Sequence, residues 1–437
     1  MRKFSLGSIA LIVMTSLFFG EAAMAQIDAH RVQTDVKEWR NWLGSTHPDL
    51  SHSADIKRVD TAFEALEQQL AGEYDVRSTW RALATINPLL NDAHSGIRLP
   101  DTAYQAALEQ GAVAFTLPVN VSEGRLYVDR TIQSSSPINP NEEILAINGQ
   151  PAASLISELA PRMRGESEGL RERVLSLRFP VALWAEQGDR QSHNVTLGRE
   201  NGPQTITLDP TRDIAVSGDQ TYELNIRDNV AVMTVKSFEI SREEEFAAFL
   251  ADAFARIDAG NIDRLIIDVR ENGGGARQLS DRLMAYLTTS RYTPISAVKA
   301  RIVAENQALI PGSQIGQVTE MPFAQWVEPP NQLAHRFHGK AIILIGPASY
   351  SQTIAFAVTV QDFKIAQIAG TPTEGPANQT GQVQRFTLPE SGLLVQAPIY
   401  IFTRPSGEIG RASLIPDIVI PGKGEAQLRT LMAEMSE

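Results

Sequence analysis

Residues 341–381 read AIILIGPASYSQTIAFAVTVQDFKIAQIAGTPTEGPANQTG, and this stretch decides which fold we expect for the chain. The apolar run 341–345 is typical of a buried strand, and Gly346-Pro347 then predicts a turn. Apolar residues at helical spacing follow, so we predict a helix over 351–363. The order strand, turn, helix indicates the α/β class.

Ser351 is predicted in the first turn of that helix. Unpaired backbone N–H groups and the positive end of the helix dipole favour an alkoxide or an oxyanion at this place. Serine is also among the residues most favoured as a helix N-cap. The stretch alone therefore leaves two roles open for Ser351, a nucleophile or a cap.

A second strand, turn and helix precede this stretch, at 264–269, 270–275 and 276–287. The turn carries Gly273, Gly274 and Gly275, which permit positive φ and a close approach of the backbone. A glycine turn between a strand and a helix presents N–H groups to an anion. We interpret it as an oxyanion or carboxylate cradle, with a purely structural turn as the alternative. A strand over 230–235 and a helix over 243–259 complete this part of the pattern.

The first residues have the features of a targeting segment. Arg2 and Lys3 precede an apolar run over 9–19, and Ala23-Met24-Ala25 offers small residues to a signal peptidase. The run is short for a membrane span. We predict a cleaved signal peptide over 1–25 and a periplasmic or secreted protein without stable membrane insertion.

Composition excludes several classes of site. The chain has no cysteine, which rules out disulfides, thiolate metal sites and a cysteine nucleophile. The formal net charge of −12 is unfavourable for binding nucleic acid. Neither an HExxH pair, a Walker loop nor a GxGxxG turn occurs, so we expect no metal and no cofactor. The oligomeric state stays open.

The hydrophobic period divides the rest of the chain. Helical spacing predicts a helical region over 26–111, and a period of two predicts a β-rich module over 112–200, with a possible strand at 181–183. Within that module, EILAINGQ at 143–150 resembles a strand and turn of a PDZ domain. A Gly/Pro/Asp-marked link over 201–218 leads into an α/β core over 215–437.

His94 is the histidine best suited to act as a base. It lies in the turn-rich sequence NDAHSG, at 91–96, near the junction of two regions. A neutral imidazole can take a proton from a serine at neutral pH. The alternative is that His94 only bonds Asp92 or a nearby carbonyl group.

The combination of these motifs resembles the tail-specific, or C-terminal processing, serine peptidases, which are related to the tricorn core protease and to the interphotoreceptor retinoid-binding protein. LIIDVRENGGG is similar to the family's IDLRGNGGG, and SYSQTIAFAVTVQDFKIAQIAGTPTEG to its serine segment. LLNDAHSG is similar to the DgHT motif of the tricorn-like branch. The resemblance implies a crotonase/ClpP-like α/β core flanked by the helical region and the PDZ-like module.

Carried over by residue, the resemblance implies that Ser351 is the nucleophile and that Gly274 and the amide of Gln352 form the oxyanion hole. It further suggests Gly273, Gly275 and Asn378 as substrate-binding residues. Where the tail-specific branch has a lysine base, this chain has Pro376. Lys364 lies thirteen residues past the serine, about 20 Å along a helix, and is too far to replace it.

The resemblance to the histidine branch implies that His94 activates Ser351. The orienting third residue is then Glu408, whose spacing from the serine matches the tricorn-like glutamate, although a solvated loop acid is the alternative. Asn378 and Asp92 are other candidates to orient the imidazole. Ser349 is the alternative nucleophile.

We therefore expect an exported serine-type peptidase that acts on peptides or unfolded proteins. The main alternative is a catalytically inactive protein that binds a peptide or an apolar ligand on the same fold, which the missing lysine favours. An esterase with the same residues is a third hypothesis. His94 together with the GGG turn favours the enzyme, because a binding protein has no need of both.

Overall fold

The computed structural model describes residues 26–130, 132–133, 138–209, 214–215, 220–422 and 424–436. The predicted signal peptide lies outside these residues. Within them, no helix combines the length and the hydropathy that a membrane span requires.

The first part of the described chain is mainly helical, as its spacing predicts. Its elements are β1 (Ile27–Asp28), α1 (Ala29–Thr46), α2 (Ile56–Gln69), β2 (Glu73–Tyr74), α3 (Val76–Leu83), α4 (Asn87–Leu90), β3 (Gly96–Ile97) and α5 (Asp101–Glu109). Trp39 and Trp80 are fully buried among these helices. They therefore contribute to the hydrophobic core.

The β-rich module follows, and two of its elements differ from the sequence prediction. It comprises β4 (Val119–Ser122), β5 (Arg125–Val128), β6 (Ile132–Gln133), β7 (Glu143–Ile147), β8 (Gln150–Pro151), α6 (Ala152–Leu159), α7 (Glu168–Gln187), β9 (His193–Gly198), β10 (Gln204–Leu208) and β11 (Ile214–Ala215). The strand predicted at 181–183 is wrong, because this apolar run is a buried part of α7. Part of the predicted link is also a strand, because β10 pairs with β9.

Helix α7 covers one edge of the module's main sheet, whose strand order is β10-β9-β7-β5-β4. Val121 in β4 donates its N–H to Ser176 Oγ at 2.8 Å. The amides of Glu123 and Gly124 donate to the carboxylate of Glu172. Ser176 of α7 thus occupies a backbone donor of the edge strand β4, to which an added peptide strand would otherwise bind, and Glu172 binds the turn after β4.

The C-terminal core contains most of the remaining strands. Its elements are β12 (Tyr222–Arg227), β13 (Val230–Val235), α8 (Glu243–Ala259), β14 (Arg264–Asp268), α9 (Arg277–Ala285), β15 (Ala297–Arg301), β16 (Val318–Pro322), β17 (Lys340–Ile345), α10 (Gln352–Asp362), β18 (Gln367–Gly370), β19 (Thr380–Thr387), β20 (Leu394–Thr403), β21 (Ile418–Val419) and α11 (Gly424–Ser436). The bounds of β13 and α8 agree with the prediction, and those of β14, β17 and α10 differ from it by one residue at one or both ends.

The central sheet of the core has the strand order β12-β13-β14-β17-β18-β21, parallel except for β12. Leu265 and Ile267 of β14 pack on one face, in the cluster that includes residues of α8, α9 and α10. Ile266 packs on the other face with residues of α11. Because both faces are covered, the strands are continuous apolar runs. The α/β class is therefore confirmed.

A second sheet joins the N-terminal region to the core. Its strand order is β16-β15-β20-β19, and β3 pairs with β20. The pairing of Gly96 with Gln396 fixes the loop that carries His94 against the core. One hydrophobic cluster also runs from the helical region through the β-rich module to residues of β20. The position of His94 thus depends on packing between distant parts of the chain.

Candidate active site

The candidate site lies at the carboxyl ends of β14 and β17, where parallel α/β sheets usually bind their ligands. The glycine turn follows β14, and the turn with Ser351 follows β17. A cleft of about 650 Å³ opens beside them, lined by Gly275, Ser351, Gln352 and the start of β19. The two parallel strands therefore bring both sequence motifs to one place.

Ser351 stands directly before α10 with φ 53° and ψ −122°. Positive φ is uncommon for residues other than glycine, and such strained residues cluster at functional sites. The Ser351 hydroxyl makes no capping hydrogen bond to α10. Its geometry thus differs from that of an ordinary N-cap serine.

Ser349, the alternative nucleophile, is fully buried. Its hydroxyl donates to the carbonyl oxygen of Val269 at 2.8 Å and accepts from the N–H of Gly346. Both bonds hold the turn between β17 and α10 against the end of β14. This serine therefore has a structural environment and does not face the cleft.

His94 contacts Ser351 across 257 residues of sequence, with 3.3 Å between Nε2 and the Ser351 hydroxyl oxygen. This distance is slightly longer than a typical catalytic hydrogen bond, as is common without substrate. The imidazole side chain is 15% exposed. Burial lowers the pKa of His94, nearby Asp92 raises it, and Arg164 lowers it further, with a net decrease. His94 is therefore neutral, and able to accept a proton, at neutral pH.

The other ring nitrogen of His94 contacts a residue that the sequence did not indicate. Nδ1 lies 3.0 Å from Thr380 Oγ1, and Thr380 Oγ1 donates to Asp92 Oδ1 at 3.0 Å. Since the threonine proton goes to Asp92, Nδ1–H of His94 donates to Thr380, which leaves Nε2 as the acceptor. Thr380 lies 286 residues from His94, and nothing in its local sequence distinguishes it.

Asp92 is buried, and its carboxylate accepts several hydrogen bonds. Its carboxylate accepts from the His94 amide at 2.9 Å and from Ser95 Oγ at 2.9 Å, besides Thr380. His47 Nε2 lies 3.9 Å from Oδ2. Burial raises the pKa of Asp92, but the interactions with His47 and His94 outweigh it and hold the pKa well below its usual range. Asp92 is therefore an anion throughout the physiological range.

Glu408, the third catalytic residue suggested by the resemblance, does not contact His94. Its carboxylate pairs with Arg404 at 3.2 Å and its side chain is 66% exposed. The position that an orienting acid would take at His94 is filled by Thr380 and, behind it, Asp92. The structure therefore contradicts the assignment of Glu408 and favours Asp92, which the sequence offered as another candidate.

Asn378 is also placed differently from the sequence prediction. Its Nδ2 donates to the carbonyl oxygens of Glu408 and Gly410, and its Oδ1 accepts from the Arg404 amide at 2.7 Å. Through these three hydrogen bonds, the side chain of Asn378 stabilises the loop after β20. The structure gives it no role in binding substrate.

The glycine turn approaches Ser351 as predicted, but one of its donors is already used. A Cβ atom on Gly274 would lie 2.8 Å from Ser351 Cβ, the Gln352 nitrogen and the Tyr350 oxygen. Only glycine permits this approach. The Gly274 N–H, however, donates to Asn272 Oδ1 at 2.9 Å, so Gly274 is wrong as an oxyanion donor.

Two other backbone amides lie near Ser351. Within the described part of the chain, neither Gln352 N–H nor Gly275 N–H donates to a protein acceptor. Gly275 pairs with Phe238 in a parallel bridge, in which Phe238 N–H donates to the Gly274 carbonyl oxygen and Ala276 N–H donates to the Phe238 carbonyl oxygen. The N–H of Gly275 is therefore directed away from Phe238. Both residues line the cleft beside Ser351. Gly273 is not part of that lining.

Comparison with known proteins adds sequence evidence to this geometry. Residues 229–420 match Peptidase family S41. This region is a domain of Peptidase family S41, and the chain is a serine-type peptidase. The matched region contains the glycine turn and Ser351, whereas His94, Asp92 and the β-rich module precede it.

Solved structures with a similar fold accompany the family match. Mature CPAF is 15% identical, with 90% of this chain and 93% of that chain covered and a TM-score of 0.63. The structure of mature CPAF complexed with lactacystin gives 15% identity, 93% and 97% coverage, and a TM-score of 0.64. The photosystem II D1 C-terminal processing protease is 14% identical, with 92% and 97% coverage and a TM-score of 0.48. The first two show that this chain shares its overall fold with CPAF.

Proposed function

We propose that this S41 peptidase is exported and hydrolyses peptide bonds through an acyl-enzyme on Ser351, with His94 as general base. The observation that carries the proposal is the hydrogen-bonded series Ser351, His94, Thr380, Asp92 at the cleft. Export rests on the predicted signal peptide over 1–25. The substrates are therefore peptides or unfolded proteins of the periplasm or the exterior.

The first step forms the acyl-enzyme. Ser351 Oγ attacks the carbonyl carbon of the scissile bond while its proton moves to His94 Nε2. The tetrahedral oxyanion is stabilised by the amides of Gln352 and Gly275, which have no protein acceptor and line the cleft. His94 then gives its proton to the departing amine as the C–N bond breaks. Water, activated by the same imidazole, hydrolyses the ester and restores Ser351.

Thr380 and Asp92 orient the base during both steps. The Nδ1–H of His94 donates to the Thr380 hydroxyl, so Nε2 keeps its lone pair directed at Ser351. When His94 becomes positive, the buried carboxylate of Asp92 lies only 3.7 Å from Nδ1 and stabilises the imidazolium. Thr380 thus completes a role that the family resemblance assigned to Glu408.

Strand β19 offers a place for the substrate backbone. It is the last strand of its sheet among the described strands, and its residues 380–384 line the cleft. An extended peptide can pair with such a sheet edge through main-chain hydrogen bonds. This arrangement would place a carbonyl group beside Ser351 without requiring a particular side chain.

A serine-directed fluorophosphonate tests the proposed nucleophile. We expect covalent labelling of the wild-type protein, with the adduct mapped to Ser351 by mass spectrometry of its peptides. An adduct on Ser349 would contradict the assignment, and absence of any adduct would favour the alternative of a binding protein. Parallel ester and amide substrates then decide between an esterase and a peptidase.

Thr380→Val is expected to lower kcat by about 100-fold, since the base loses its orienting hydrogen bond while substrate contacts remain. Valine has the same shape as threonine, and KM should change little. Thr380→Ser keeps a hydroxyl and should retain most of the activity. The measurement is steady-state kinetics on one fluorogenic peptide. Equal kcat for the valine and wild-type proteins would remove Thr380 from the mechanism.

A further inference from the structure

A segment of the β-rich module contacts every loop of the candidate active site. We call residues 164–173, the loop before α7 and its first turns, the clasp. The clasp precedes the region that matches Peptidase family S41. Its contacts with the core therefore join the module to the catalytic loops.

Three of these contacts surround the site. Arg164 Nη1 donates to the carbonyl oxygen of Ala93, beside His94, at 2.6 Å. Arg173 forms an ion pair with Glu271, at the start of the glycine turn. The Leu170 amide donates to Glu374 Oε2 at 3.0 Å, in the loop between β18 and β19. The clasp therefore contacts the loop that carries His94, the glycine turn and the loop that leads to Thr380.

The fourth contact reaches the nucleophile. Tyr350, the residue before Ser351, donates its hydroxyl to Glu166 Oε1 at 2.8 Å. The Tyr350 ring lies 5.4 Å from the His94 ring, between centroids. The backbone of Tyr350 is fixed by the glycine turn, because Tyr350 N–H donates to the backbone carbonyl oxygen of Asn272 at 3.1 Å. A shift of Tyr350 would therefore move both the Ser351 backbone and the aromatic ring that lies beside the His94 imidazole.

We propose that Glu166 is a positioning residue of the peptidase reaction, which holds Tyr350, and through it Ser351, in the geometry that His94 requires. The inference rests on the proposed function, because it assigns Glu166 a part in the same reaction. Glu166 acts through Tyr350 and does not itself contact the substrate. Residues outside the family S41 match would then determine how well the matched region works.

The charges around Glu166 make this contact dependent on pH. Asp92 faces it from the base loop, Tyr350 from the nucleophile turn and Arg411 from the loop after β20. Burial and the negative charge of Asp92 raise the pKa of Glu166, the hydrogen bond from Tyr350 and the charge of Arg411 oppose the increase, and the net pKa is about 7. Glu166 Oε2 is enclosed without a hydrogen-bond partner among the described residues.

The ionised carboxylate accepts the stronger hydrogen bond from Tyr350. As the pH falls through about 7, Glu166 takes up a proton and this bond weakens. His94 takes up its proton only at lower pH, because its pKa lies below the ordinary value. The wild-type activity should therefore begin to fall near pH 7, before the base itself is protonated.

Glu166→Gln is the test. We expect kcat at pH 8 to fall about 10-fold with little change in KM, since misplacement of the nucleophile affects the reaction more than binding. The acid limb of the pH–kcat profile should move to lower pH, because only the protonation of His94 remains. Glu168→Gln, in the exposed first turn of α7, is the matched control and should behave as wild type.

Stability separates positioning from folding. A raised pKa means that the folded state prefers protonated Glu166, so this group's contribution to stability is present below the ordinary pKa and lost as pH rises through about 7. The glutamine variant lacks that loss and should unfold at the same or a higher temperature than wild type at pH 8. Its lower kcat then has no origin in unfolding.

Tyr350→Phe removes the other half of the contact, and the double variant should lose no more activity than the single variants. Unchanged kcat and an unchanged acid limb in Glu166→Gln would overturn the inference. A uniform loss at all pH values, additive with Tyr350→Phe, would overturn it as well. Failure of the proposed function differs from both outcomes, since the wild-type protein would then carry no fluorophosphonate adduct on Ser351.

Discussion

Ser351→Ala is expected to lower kcat on a peptide substrate by roughly 10⁴- to 10⁶-fold, the range seen when a serine peptidase loses its nucleophile. The acyl-enzyme cannot form without Ser351 Oγ, and His94 then has no hydroxyl proton to accept. Peptide binding should persist, because the cleft and the edge of β19 are unchanged. The measurement is kcat by steady-state kinetics, together with the dissociation constant of an uncleaved peptide.

Ser157→Ala is a suitable control for this prediction. Ser157 lies on the exposed side of α6, and its hydroxyl only donates to the Ser154 carbonyl oxygen. We expect wild-type kinetics from this variant. Activity of Ser351→Ala within 10-fold of wild type would contradict the proposed nucleophile, even if the protein remains a peptidase.

His94→Gln is expected to lower kcat by about 10⁴-fold at pH 8. Glutamine can fill part of the space and still donate to Thr380, but it cannot take the proton of Ser351. The double variant with Ser351→Ala should lose little more than either single variant, because the two residues act as one unit. Residual activity should also lack the acid limb that protonation of His94 gives to the wild type.

His338→Gln is the matched histidine control, since His338 is exposed before β17. We expect it to keep wild-type kcat and the wild-type pH profile. Retention of more than a tenth of the activity by His94→Gln would show that another base activates Ser351. The adduct experiment with the fluorophosphonate would then still identify the nucleophile.

Local sequence patterns predicted the elements of the core because they depend on near neighbours. Apolar runs bounded by turns predicted β13, β14 and β17, and helical spacing predicted α8 and α10 to within a residue or two. The same rule failed at 181–183, because a short apolar run fits a buried helix as well as a strand. It also missed β10, whose Gly/Pro-marked surroundings are typical of a loop.

Several properties of the site depend on contacts that no local pattern contains. Glu408 was suggested by its spacing, yet its side chain points to Arg404, and Thr380 takes the place beside His94. Gly274 was suggested as an oxyanion donor by its motif, yet its N–H donates to Asn272 Oδ1. Each case requires the direction of a side chain or an N–H group, which follows from the packing of the folded chain.

The sequence by itself determined the α/β core, the glycine turn, the serine at the start of a helix and Pro376 at the place of the tail-specific lysine, since these are properties of residue type and short spacing. Only the tertiary structure decided which groups meet. The pairing of β3 with β20 carries His94 across 257 residues to Ser351. Burial in that place lowers the pKa of His94, the interactions with His47 and His94 keep Asp92 ionised against its burial, and Thr380 contacts Nδ1 of the imidazole.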